Sequence, residues 1–188
     1  MKKIFFIFLI AAATFSVQSC HKEESKTPAI TIGDFHEGGI IFYIDNTGEH
    51  GLVCTVVDQG FDVTWGCPSL IKFGADGLII GTGAQNTIDI LAACTETPIA
   101  ASTCNQLVLN GYDDWFLPSK DELDSLYQHR TIVNETAVEN EGGLLHGGEY
   151  WSSSHHSDNT VWIQSFDAGN QTGDTKNTKH YVRAIREF

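Results

Sequence analysis

Residues 111–130, GYDDWFLPSKDELDSLYQHR, constrain the fold of this 188-residue chain more than any other stretch. Asn110-Gly111 and Asp113-Asp114 carry turn chemistry. Trp115-Phe116-Leu117 is a short apolar run that suits a brief buried strand, and Pro118 ends it. Ser119 followed three residues later by Glu122 is a capping box, in which the hydroxyl takes an orphan N–H and the carboxylate reaches back. Asp121 and Glu122 suit the positive end of the helix, and His129 and Arg130 its last turn. Leu123, Leu126 and Tyr127 recur at helical spacing on one face. The stretch predicts a strand–turn–helix clamp with a structural role, its helix ending at Arg130.

At the start of the chain, Met1-Lys2-Lys3 is basic and residues 4–17 are almost unbroken apolar sequence. That run is short for a membrane span but right for the hydrophobic region of a signal peptide. Val17-Gln18-Ser19-Cys20 resembles a bacterial lipobox. Residues 1–19 are therefore expected to be a lipoprotein signal peptide, with Cys20 lipidated and the protein anchored to the outer membrane. An ordinary secretory signal with an incidental Cys20 is the alternative. Residues 20–31 lack the apolar content of a core and read as a polar tether. Lys22-Glu23-Glu24 is similar to the surface-export signals of Bacteroidetes lipoproteins. Residues 32–188 have the length of one ordinary domain.

Charge limits the partners. The sequence has 11 basic and 24 acidic residues, a formal net charge of −13, and loss of Lys2 and Lys3 with a leader makes it −15. Such a surface repels phosphate and sulfate polymers, so no nucleic-acid partner is expected and heparin-like chains are disfavoured.

Residues 39–44 and 51–57 are β-rich and joined by Asp45-Asn46-Thr47-Gly48-Glu49, a hairpin signal that lacks the ligand set of a calcium loop. Residues 81–86 superficially resemble a dinucleotide fingerprint, but Asn86 replaces the third glycine and no βαβ pattern follows. Asn86 or Thr87 instead looks like the cap of a helix through Ile88, Ile90 and Leu91, and a second helix is expected over residues 100–109. Residues 134–148 read as a long loop or flap. Strands are expected from Tyr150-Trp151, over 161–166 and over 181–186, with the polar segments 153–160 and 167–180 as surface loops.

Candidate chemistry is sparse. Cys54, Cys67, Cys94 and Cys104 permit two disulfides in an exported chain, with Cys94–Cys104 the favoured pair and Cys54 suited to a valine-rich strand as a small hydrophobe. The eight histidines form no HExxH and no i, i+4 pair, so no metal and no cofactor is expected. Asp113 and Asp114 are adjacent and therefore poorly placed to act on one bond, and no GxSxG elbow is present. No catalytic residue is assigned. Trp65 and Trp151 read as core anchors, whereas Trp162 borders a polar loop and could stack on a ligand.

Several motifs in order carry a family resemblance: Gly38-Gly39-Ile40-Ile41-Phe42-Tyr43, Gly81-Thr82-Gly83-Ala84-Gln85-Asn86-Thr87, the clamp itself, Tyr150-Trp151-Ser152-Ser153-Ser154 and Tyr181-Val182-Arg183-Ala184-Ile185-Arg186. Together they resemble the DUF1566, or Lcl C-terminal, family, which includes the C-terminal domain of the Legionella collagen-like adhesin and the major paralogous domain of Fibrobacter succinogenes. The resemblance implies an α+β, C-type-lectin-like fold related to formylglycine-generating enzymes, with paired terminal strands and two to three helices. In that fold residues 40–44 would lie beside 182–186. Formylglycine chemistry is not implied, because Ala184 stands where some relatives have cysteine and no cysteine follows Cys104. The Glu-Pro-Asn and Trp-Asn-Asp sugar motifs of calcium lectins are also missing.

The expected function is ligand recognition or adhesion at the cell envelope, toward an unidentified protein or glycan, without catalysis. Alternatives are a glycan- or protein-modifying hydrolase and a structural envelope component. The expected ligand-binding residues are His155, His156, Asp158, Asn159, Trp162, Asp167, Asn170, Gln171, Asp174 and Lys176, rich in donors, acceptors and both charges. Their crowding resembles the variable region of retroelement-diversified lectin-like proteins, and the segment 134–148 is the alternative seat of binding.

Overall fold

The capping box forms as its spacing implies, and it joins three parts of the chain. In the computed structural model, which describes residues 29–71 and 74–188, Ser119 N donates to Glu122 Oε2 at 2.6 Å and Glu122 N to Ser119 Oγ at 3.4 Å. Just before it, Phe116 exchanges both backbone hydrogen bonds with Ile185, at 2.8 and 3.1 Å. The clamp thus touches the last strand directly. The expected signal peptide, Cys20 and most of the tether lie outside the described residues.

The elements in order are β1 (Phe35–His36), β2 (Gly39–Ile44), β3 (Gly51–Cys54), β4 (Gly60–Thr64), α1 (Gly83–Ala93), α2 (Ala100–Asn105), α3 (Lys120–Gln128), α4 (Arg130–Glu139), β5 (Glu149–Ser157), β6 (Thr160–Ser165), β7 (Gln171–Thr175), β8 (Lys179–Val182) and β9 (Ile185–Glu187). They form a four-stranded sheet ordered β1-β2-β3-β9 and a five-stranded sheet ordered β4-β8-β5-β6-β7. All pairings are antiparallel except that of β5 with β8, at Tyr150 and Tyr181.

The β2–β3 hairpin is as expected. Asp45 Oδ1 accepts from Thr47 N, Thr47 Oγ1 and Gly48 N, an Asx-type turn. The terminal pairing needs correction. Strand β9 joins the first sheet beside β3, with Val53 opposite Arg186, so β3 stands between β2 and the last strand. The expected strand over 181–186 is in fact two strands in different sheets, with Arg183 and Ala184 crossing between them.

There are four helices among the described residues rather than two or three. Helix α1 starts at Gly83, not at Asn86 or Thr87, because its cap comes from another element: Gly81 N and Gly83 N donate to Glu122 Oε1 at 2.7 and 3.4 Å. A Cβ on Gly83 would lie 2.3 Å from Glu122 Oε2, so only glycine admits this approach. Helix α2 stops at Asn105, short of Leu109. Helix α3 stops at Gln128 with His129 as its C-cap, and α4 begins at once, taking up the first part of the expected flap.

Two apolar clusters fill the interior. One contains Trp65, Trp115 and Trp151 with Ile41, Val53 and Ile90; the other packs Phe42, Phe116, Leu123, Leu126 and Tyr150. Burying each such side chain contributes about 1.5–3 kcal/mol. Both Trp65 and Trp151 are fully buried, and their indole N–H groups donate to Ser152 O and Val63 O. The disulfide joins Cys67 to Cys94, not Cys94 to Cys104. It ties the loop after β4 to the end of α1, while Cys54 and Cys104 are free and buried. Sequence separation favours the shorter Cys94–Cys104 loop, but the fold buries Cys104 on a packed face of α2.

Candidate functional site

Strand β5 positions the site. Residues 153–160 are expected to be a surface loop, but Ser153 and Ser154 are, like Ser152 before them, completely buried. Their polarity is satisfied internally. Ser154 Oγ donates to Gly77 O at 2.6 Å and accepts from Lys120 N at 2.9 Å. The Asn86 amide donates to Gly77 O and Ser153 Oγ and accepts from Gly77 N. Thr87 Oγ1 accepts from Leu117 N at 3.0 Å. A buried network satisfied in this way is rigid. It fixes the chain just before β5 emerges.

The emerging end of β5 borders a cleft of about 300 Å³ lined by Ile71, Gly74, Ala75, Asp76, His155, His156, Ser157 and Asp158. His155 N donates to Ala75 O at 2.8 Å, tying the two walls together. The His155 ring is half-buried and tilts against Trp65, with centroids 5.6 Å apart. Burial, and then the Lys176 ammonium, push its pKa down to about 4, while Asp76 and Asp158 pull the other way. It is therefore neutral near pH 7. His156 points outward: its Nδ1 lies 2.8 Å from Thr160 Oγ1 and its ring meets Trp162 edge-on at 4.3 Å. A Cβ on Gly173 would come within 2.4 Å of that imidazole, so the bare backbone of β7 makes room for it. The Lys120 ammonium lies 5.1 Å from the Trp162 ring centre.

The expected ligand-binding residues do not stay together. His155, His156 and Asp158 line the cleft, and Asn159 is exposed in the same β5–β6 turn. Trp162 backs His156 on β6. Asp167 and Asn170 are exposed in the β6–β7 turn, at the far end of the hairpin. Gln171 donates to Lys120 O at 2.8 Å and so braces α3. Asp174 braces the β7–β8 turn through Thr175 N, Thr178 Oγ1 and His180 Nε2. Burial opposes the charge on Asp174, but the bonds from His180 and Thr175 outweigh it and hold the carboxyl below its usual range.

Lys176 is a clear correction. It is fully buried, its ammonium donates to Leu70 O and Asp158 O, and it sits 5.4 Å from the Trp65 ring centre. It supports the cleft from below and cannot be part of an exposed surface. Ile71 and Asp76, which form the opposite wall, are not among the expected residues; the Asp76-Gly77 dipeptide, a turn former, is the one local signal that points to this wall. Asp114 makes a two-point ion pair with Arg186, at 2.7 and 3.1 Å.

Chemically, the cleft offers an outward imidazole, two carboxylates, a hydroxyl and an apolar edge at Ile71. Cys67, Cys94 and Glu96 lie close enough to suggest metal ligation, but the two sulfurs are bonded to each other, and Glu96 Oε2 accepts from Cys67 N at 2.8 Å.

These features define a mixed α+β domain of two sheets, with a polar cleft mounted on the end of a buried strand. The profile of the Lcl C-terminal domain matches residues 54–186, and the chain belongs to that family. Among solved structures, it is similar to a fimbrial protein from Bacteroides ovatus ATCC 8483, with a TM-score of 0.56 and 12% identity. That similarity covers 78% of this chain but only 43% of the fimbrial protein, so the chain matches less than half of its neighbour's length. No curated protein matches the sequence.

Proposed function

We propose that this chain is a recognition module of the bacterial cell envelope, which binds a protein or glycan ligand in the cleft at the end of β5 and does not turn it over. The observation that carries this reading is the contrast along β5. Three buried, hydrogen-bonded serines are followed, after the half-buried His155, by His156, Ser157, Asp158 and Asn159, all exposed. Adaptable polar groups on a rigid base are the usual build of a binding surface. Membership of the Lcl C-terminal family and the likeness to a fimbrial protein agree with a surface or adhesion role.

The proposal includes a lipid anchor at Cys20 and residence at the outer membrane. No helix among the described residues is long and apolar enough to cross a membrane. It also includes C-type-lectin-like ancestry, supported by the gathering of the first hairpin and the last strand into one sheet.

The test is a glycan- and protein-array screen of the chain from His21 onward, beside a triple variant, His156→Ala/Asp158→Ala/Asn159→Ala. His155 is left intact because its half-buried ring packs against Trp65 and its loss would confound binding with folding. Loss of ligand by the variant, with an unchanged melting temperature, supports the cleft. Equal binding by both proteins places recognition elsewhere.

A further inference from the structure

The segment expected to be a loose flap is instead tied down, and it builds a second surface that shares no lining residue with the cleft. Gly142 N donates to Ala137 O, Gly143 N to Val56 O, Leu145 N to Asn134 Oδ1 and His146 N to Tyr150 Oη, all at 2.7–2.9 Å. The His146 ring is held too. Its Nδ1 lies 2.9 Å from Asp58 Oδ2, an atom that also accepts from Tyr150 Oη at 2.8 Å, and the ring stacks on Tyr181 with centroids 5.0 Å apart. Arg183 Nε completes the set by donating to Asp58 Oδ1 at 2.7 Å.

Two hollows flank this segment and meet at Leu144. One, of about 380 Å³, is lined by residues including Val57, Phe61, Leu144, His146 and Tyr181. The other, of about 540 Å³, lies against α4 and is lined by Thr131, Asn134, Glu135, Val138, Glu139 and Leu144. The apolar exposure here is unusual: Phe61 is 76% exposed, Val138 59%, Leu144 53% and Val57 40%. Grouped apolar exposure on a fixed surface marks an interaction site.

The geometry points to a groove that docks a basic, apolar peptide segment of another protein. A large side chain of that segment would fill the hollow between Phe61 and Tyr181, and its lysines or arginines would pair with Glu135 and Glu139. Charge selects this occupant. Both glutamates are exposed, neither makes an ion pair among the described residues, and no lysine or arginine lines either hollow. The nearby Lys179 is already paired with Asp62 at 2.7 Å. A second copy of this chain would bring a like-charged rim and a formal −13 of its own, and an anionic lipid surface would meet the same repulsion. Strand addition along β4 is disfavoured, because its pairing with β8 is interrupted between Gly60 and Val63, which splays Phe61 outward and blunts the edge.

The experiment uses the full chain solubilised in a neutral detergent, with detergent alone as control. The probe is a short fluorescein-labelled peptide of lysines around one tryptophan and one leucine, followed by fluorescence anisotropy. Wild type should bind it. Phe61→Asp or Leu144→Glu should weaken binding by roughly tenfold or more, as for a central anchor. Glu135→Gln/Glu139→Gln should weaken it by about threefold and flatten its salt dependence, as for rim charges. Should either apolar variant fail to fold, the double glutamine variant decides alone, because its sites are exposed on a helix. No binding by wild type, equal binding of a peptide with alanine for tryptophan and leucine, tighter binding of a glutamate-flanked peptide, or an unaltered affinity in the double variant would each overturn the proposal. The triple variant of the β5 cleft separates the two surfaces: loss of peptide binding there would move the peptide to the cleft and overturn the groove.

Discussion

Glu122 shows how much a single buried carboxylate can organise. It receives N–H groups from Ser119, Gly81 and Gly83, so one side chain caps its own helix and the start of α1. Burial outweighs those donors and raises its pKa above the ordinary 4.5. A raised carboxyl favours the folded state fully below the unfolded value, and this contribution is lost as pH rises through the folded value. Glu122→Gln should abolish that pH dependence. It should also cost about 1–3 kcal/mol in urea melts at pH 7, because the amide turns an N–H toward donors that need an acceptor. A variant as stable as wild type would show that the two helix starts do not depend on the charge. His155 acts with the opposite sense. Its depressed pKa, about 4, gives a contribution present above pH 6.5 and lost as pH falls toward 4. His155→Gln should flatten stability across that interval, and NMR titration of the ring should find it neutral at pH 5. The Ser119–Glu122 half of this arrangement was legible in the sequence because its spacing is local. The Gly81 and Gly83 half was not, since those partners are 41 and 39 residues away.

At the scale of elements, the β2–β3 hairpin and β6 are legible from their apolar runs, whereas β7 and the second half of β5 are polar and read as loops, and the apolar run over 181–186 conceals a change of sheet. Residues 152–154 carry only hydroxyls, yet they occupy the core because Asn86, Gly77 and Lys120 N supply partners that no local pattern announces. Strand β7, Gln171–Thr175, was likewise hidden in a polar run and is recruited by its neighbour β6. The disulfide was missed for a related reason, because sequence separation favoured Cys94 with Cys104 while packing brought Cys67 to Cys94 over 27 residues. Closing a loop of that length contributes about 3–4 kcal/mol by chain entropy. Cys67→Ser/Cys94→Ser should therefore lower stability by that order while the domain still folds. In wild type Cys54 and Cys104 should resist alkylation until denaturant is added, since burial pushes both thiols up, Cys54 to about 12. The last strand is less replaceable. Removing residues 182–188 deletes β9, the Phe116–Ile185 bridge, and the arginines that neutralise Asp58 and Asp114. That truncation should not fold, and a cooperative melt from it would show that the first sheet closes without its fourth strand.

For the whole molecule, charge and attachment decide what can approach. The formal −13 is spread over a chain in which several cations are spent internally: Lys176 is buried, and Arg183 and Arg186 are largely enclosed in pairs with Asp58 and with Asp114 and Glu37. Each of those pairs cancels charge of both signs, so the surface keeps the acidic excess of the formal count. Field strength at a distance follows the summed charge and is screened over about 8 Å at physiological salt. Sulfated polysaccharides should consequently be repelled, so the chain is expected to pass through a heparin column at low salt. Basic peptides should be drawn toward it at a rate that falls as salt is added. Attachment through Cys20, with residues 20–31 as tether, would hold this acidic body clear of a lipid surface that is itself negative, leaving the cleft and the groove accessible. The expectation is checked by detergent phase partition and by mass spectrometry of the N-terminal peptide from membranes. An acylated Cys20 and recovery in the detergent phase should be found together, and both should vanish in Cys20→Ser. Retention on heparin that survives 150 mM salt would mean that a cationic patch escapes the acidic average, and would revise the choice of ligand from basic or neutral to anionic.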